Sequence, residues 1–141
     1  MSPLEKRAWL MLWSMCPPYL VYFTIQFVFP ELLPTYMARL TCLLLVAGTH
    51  AVVYLAGWLV LKRLEAGEKL LSDERDHAID GRAIRIAYCI LIFGLLLVGA
   101  VMPFGHSGWA LVNGALFFVV LAETVRCTWT ILGYRRPRLA H

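Results

Sequence analysis

Glu74 and His77 stand three residues apart in the run "SDERDHAIDGRAIR", Ser72 to Arg85. On a helix that spacing sets a carboxylate and an imidazole on one face, as the ligands of carboxylate-bridged di-metal bundles are set. Asp73 and Asp80 flank the same face. A complete site of that kind takes a second Glu-x-x-His, and the chain carries one. Only a second copy of the chain could complete it, so no metal is expected. A second set of residues has the types for chemistry but lies in apolar surroundings: Cys16, His50, Tyr54, Arg85, Tyr88, Glu123 and Arg126. An ionisable group at membrane depth is costly, and it counts as a functional candidate by default. A haem there would take two opposed histidines. His77, His106 and His141 lie at surfaces, so His50 lacks a partner in its own chain and no cofactor is expected. The four cysteines, Cys16, Cys42, Cys89 and Cys127, include no C-x-x-C pair and read as small buried hydrophobes.

The elements that position these residues follow from composition. Hydrophobic residues make up 60% of the 141 and charged residues 16%, against about 25% charged in soluble domains. A chain this short cannot hide so much apolar surface from water, so a membrane protein of one domain is expected. A bilayer core takes about 20 apolar residues in helical form, and four stretches qualify, about 8–29, 37–61, 83–102 and 109–133. The first is about twice the length of a signal-peptide core and lacks a cleavage site, so it reads as a retained span. "PELLPTY" separates the first two stretches and "PFGHSG" the last two, links so short that each pair forms an antiparallel hairpin. The expected fold is an all-α, four-span transmembrane bundle of two hairpins in residues 1–141, with a longer link at 62–82.

Charge gives an orientation. Of thirteen Lys and Arg, only Arg39 falls outside the clusters at 6–7, 62–85 and 126–138. The positive-inside rule then places both termini and the 62–82 link in the cytoplasm of a prokaryotic cell, with Arg39 outside. Trp9, Trp13, Trp58, Trp129 and Tyr134 form an inner aromatic belt, and Tyr36, Phe104 and Trp109 an outer one.

With that orientation, Cys16, His50, Tyr88 and Glu123 fall at one depth, about 18–22 Å from the outer ends of their spans. Faces such as Ala47, His50, Tyr54 and Gly57, or Arg85, Tyr88, Ile92 and Gly99, would gather them into a polar cluster. Pro17 and Pro18 would kink or open the first span beside Cys16. The plainer account pairs Glu123 with Arg126, or with Arg85 across the hairpin. It leaves His50 a neutral histidine, hydrogen-bonded to Tyr54, Thr49 or a backbone carbonyl. In the link, Ser72 or Asp73 caps a helix, and Asp73, Glu74 and Asp76 meet its dipole.

Two resemblances bear on function. "DGRAIR" is similar to the start of the Asp-Gly-x-x-Ala-Arg motif of the CDP-alcohol phosphotransferases, but Ile84 replaces the alanine and Val98 stands where the next aspartate belongs. That activity is not expected. "DERDHAIDGRAIRIAY", with the closing "YRRPR", resembles a family of small, uncharacterised four-span bacterial and archaeal membrane proteins with a D-E-R motif in the cytoplasmic link. Its members are often encoded beside helix-turn-helix repressors, which implies a regulatory or immunity role. The expectation is a non-enzymatic regulatory protein that presents Asp73, Glu74, Arg75, Asp76, His77, Asp80 and Arg82 to a cytoplasmic protein partner. Its other partners would be the lipid bilayer and further copies of itself, with no direct contact to nucleic acid. The alternative is a binding or transport protein, a homodimer, that takes up an ion or small molecule at the intramembrane cluster.

Overall fold

A computed structural model of the chain describes residues 2–65, 74–106 and 108–135, with the side chains of Glu74 and Arg75 outside the description. Four helices are long and apolar enough to cross a membrane: α1 (Pro3–Val28), α2 (Tyr36–Glu65), α3 (Glu74–Leu96) and α4 (Trp109–Arg135). No strand occurs among the described residues. α2 extends past its apolar stretch at both ends, α1 and α3 begin before theirs, and α4 ends beyond its own. At about 1.5 Å per residue, the 26 to 30 residues of α1, α2 and α4 reach roughly 40 Å, beyond a hydrocarbon core of about 30 Å. The apolar window of α2 has no buried residue. Leu44, Leu45, Val52 and Leu55 are all exposed along it, an apolar surface that water does not tolerate and lipid does.

The chain forms two compact units, one of residues 9–70 and one of residues 71–141 together with 1–8. In the first unit α1 and α2 run antiparallel, Tyr19 meeting His50 and Leu10 lying where a side chain on Gly57 would project. Pro17 and Pro18 supply no N–H for the carbonyls of Trp13 and Ser14. The helix nevertheless continues unbroken from Pro3 to Val28, so the opening expected beside Cys16 does not occur. Between α1 and α2, Pro30–Leu32 forms one 3-10 turn. Arg39, the cation isolated in the sequence, donates from Nε to the Leu33 carbonyl at 2.9 Å and ties this turn to α2.

In the second unit, Ser2 begins α1 with its side chain accepting the Glu5 N–H at 3.1 Å. This is the Ser-x-x-Glu arrangement that caps helix starts, with Pro3 in the first helical position. The Ser72 or Asp73 cap of α3 lies outside the described residues. The α3–α4 hairpin is packed through small residues. Ala83, Ala87, Gly94 and Val98 form a buried stripe along α3. Side chains added to Gly94 and Gly133 would run into Phe118 and Ile79, and one added to Gly114 would press on Met102 and Val98. Where lipid is as apolar as leucine, it is this close approach that holds two helices together.

The third span does not end as a regular helix. Residues Leu97–Val101 widen into a π-helical turn, in which the Met102 N–H reaches the Leu97 carbonyl, and Met102–Phe104 then tighten into a 3-10 turn. Pro103 accounts for both, since its ring has no N–H and would strike the carbonyl four residues back. Gly108, at φ 58, supplies the left-handed residue from which α4 starts.

Candidate functional site

A set of polar side chains of the α3–α4 hairpin meets at one end, where the link enters α3. The phenol of Tyr134 donates to Asp76 Oδ1. Arg126 donates from Nε to Glu123 Oε2 at 2.9 Å, and its Nη1 stands 4.0 Å from Asp80 Oδ1. One guanidinium thus serves two carboxylates, and a phenol serves a third. All three members of the Arg126 group are about one-third exposed, so the pairing is neither fully screened by water nor fully desolvated.

The antiparallel register accounts for these partners. Fifteen residues separate Ile79 from Gly94 on α3, and fifteen separate Gly133 from Phe118 on α4. The same register sets Asp76 opposite Tyr134 and Tyr88 level with Thr124, one residue from Glu123. The depth match between Tyr88 and Glu123 therefore holds within this hairpin. Their faces do not match. Tyr88 is 61% exposed, and Arg85, Ile92 and Gly99 are exposed with it. That face of α3 points away from the Ala83–Ala87–Gly94–Val98 stripe that packs against α4, so within this hairpin Tyr88 does not turn toward Glu123. Arg85 donates to the Gly81 carbonyl of its own helix at 3.1 Å and does not reach Glu123.

In the other unit, His50 sits between two phenol rings. Tyr19 lies edge-on at 5.7 Å and Tyr54 edge-on at 6.3 Å between ring centroids. The Thr49 hydroxyl donates to Leu45 instead. Tyr19, missed in the sequence, was detectable from the hairpin register, because an antiparallel α1 brings it level with His50. Cys16 is half-buried. Replacing His50 by Phe keeps the edge contacts and removes the ring nitrogens. A purely structural His50 predicts a melting temperature within a few degrees of wild type for His50→Phe and a larger loss for His50→Ala, read by circular dichroism in micelles.

Of the residues expected to face a partner, Asp76 and Asp80 are turned instead onto α4. His77 and Arg82 are exposed. Asp73 and the side chains of Glu74 and Arg75 lie outside the described residues. No group of three or more metal-ligating side chains occurs among the described residues.

At the same end of the hairpin, a cavity of about 220 Å³ opens between Ile79 and Arg82 on α3 and Trp129, Leu132 and Gly133 on α4. Trp129 forms a wall. Comparison of the chain with family models, with curated proteins and with solved structures finds no match.

Proposed function

We propose that the chain is a non-enzymatic regulatory protein of a prokaryotic cytoplasmic membrane. In this reading it is a four-helix bundle with both termini and the 62–82 link in the cytoplasm. The observation that carries it is the clasp formed by Asp76 with Tyr134 and by Asp80, Arg126 and Glu123. These bonds close the α3–α4 hairpin at the end where the charged segment joins it. Whatever docks on that segment acts on the clasp, and a clasp that is open or closed is the kind of two-state element a ligand can bias. His77 and Arg82 are the exposed α3 side chains a soluble partner meets first. The resemblance carried by "DERDHAIDGRAIRIAY" supports the same assignment.

The test places a photo-crosslinking amino acid at residue 77, and a second at residue 104 at the opposite end of the hairpin. In intact cells the reading expects a discrete protein adduct from position 77 that weakens when the clasp is cut by Tyr134→Phe, and none from position 104. Adducts from position 104 alone sink both the orientation and the role. Ion or small-molecule transport is the second reading, and His50 between Tyr19 and Tyr54 supports it. It requires Glu123 to release Arg126, and it predicts uptake by proteoliposomes that Glu123→Gln abolishes.

A further inference from the structure

We infer that the cavity between Ile79, Arg82, Trp129, Leu132 and Gly133 binds the headgroup of an anionic phospholipid, with its phosphodiester on Arg82. The inference rests on the proposed placement of this end of the hairpin at the cytoplasmic membrane surface.

Depth is the first argument. Arg82 lies 22 residues from Phe104 along the third span and Trp129 lies 20 from Trp109 along α4, about 30–33 Å at 1.5 Å per residue. That distance is the thickness of the hydrocarbon core, so the cavity stands where lipid phosphates are. Tryptophan at such a level is an interfacial anchor.

Chemistry is the second. Arg82 is exposed and has no carboxylate partner among the described residues. The nearby acids are engaged, Asp80 with Arg126 and Asp76 with Tyr134. A guanidinium fork matches two phosphate oxygens, and a basic recess between membrane helices on the cytoplasmic side suits an anionic headgroup. A zwitterionic lipid would bring its own cation into a space whose one charged lining residue is Arg82.

Size and shape are the third. A volume of about 220 Å³ falls below the roughly 300–1,000 Å³ of sites for whole organic ligands. It leaves room for a headgroup while the acyl chains stay outside. Leu132, 45% exposed, gives their first methylenes an apolar wall.

The experiment uses the full chain, delipidated in mild detergent and titrated with phosphatidylglycerol or phosphatidylcholine, with bound lipid counted by native mass spectrometry. Wild type is expected to retain one phosphatidylglycerol with about tenfold preference over phosphatidylcholine, the ratio that about 1.4 kcal/mol gives. Arg82→Gln should lose the preference, Arg82→Lys should keep part of it, and Lys62→Gln, removing a cation stacked on Trp58 in the other unit, should keep all of it. Equal uptake of both lipids by wild type, or an unchanged preference in Arg82→Gln, overturns the inference. Should Arg82→Gln fail to fold, a photoactivatable phosphatidylglycerol on wild type decides. Adducts mapping to residues 79–82 and 129–133 support the site, and adducts confined to other segments sink it. No protein partner is present in these assays, so the lipid site and the regulatory reading fail independently.

Discussion

Arg126→Met should lower the stability of the folded chain by about 2–3 kcal/mol. The figure falls below the roughly 3–5 kcal/mol for breaking a fully buried pair, because the Arg126 side chain is 33% exposed. The substitution keeps the length and the apolar stem of the side chain but leaves Glu123 with no cation at 2.9 Å and Asp80 with none at 4.0 Å. Glu123→Gln should cost less, about 1 kcal/mol, since the amide oxygen still accepts from Arg126. The double variant Arg126→Met with Glu123→Leu should regain part of the loss, because Glu123 no longer remains as an unpaired charge while Asp80 still does. Reversible unfolding in mixed micelles, followed by circular dichroism, reads these variants together with Glu123→Leu alone, which closes the double-mutant cycle. A coupling between the two sites within about 0.3 kcal/mol of zero would show that the pair does not hold the hairpin.

The same residues show how much of this structure was legible in the sequence. Four long apolar stretches fixed the number of helices, and short proline-bearing links fixed two antiparallel hairpins. Depth followed from the rise of a helix, which is why Tyr88 and Glu123 do lie level. Rotation about the helix axis did not follow. In a soluble helix the apolar face reveals the buried side, but a helix apolar all round reveals none. The side α3 turns to α4 is set by Ala83, Ala87 and Gly94, the residues small enough for close approach, and not by the polar residues Arg85 and Tyr88. Attention to chemically interesting side chains therefore pointed to a face other than the one that meets α4. The Glu123–Arg126 pair was readable because i,i+3 spacing is local. The Asp76–Tyr134 bond was not, because it joins residues 58 apart and depends on a register that Gly94, Gly114 and Gly133 establish. The π turn before Pro103 was missed because a proline fixes where a helix must change but not how.

Gly94→Leu should therefore damage the fold more than any change to an exposed polar residue of α3. A Cβ at position 94 would be driven into Phe118 at its Cγ and Cβ. Those atoms are the root of the ring and not its mobile tip, so no rotamer change removes them. The helices must part or slide, and sliding breaks the register that pairs Asp76 with Tyr134 and Asp80 with Arg126. Overpacking costs about 1–3 kcal/mol in a core that can shift locally. Here the loss should reach or exceed the top of that range, because the small-residue contact and the polar clasp fail together. Unfolding in mixed micelles measures the loss, and cross-linking between cysteines placed at residues 76 and 134 measures the register. Phe118→Gly in the Gly94→Leu background should restore the cross-link and part of the stability, because it removes both the Cβ and the ring that the leucine strikes. Gly48→Leu, where an added Cβ meets nothing within 4 Å, should be tolerated. If Gly94→Leu keeps both wild-type stability and the 76–134 cross-link, the small residues do not set the register.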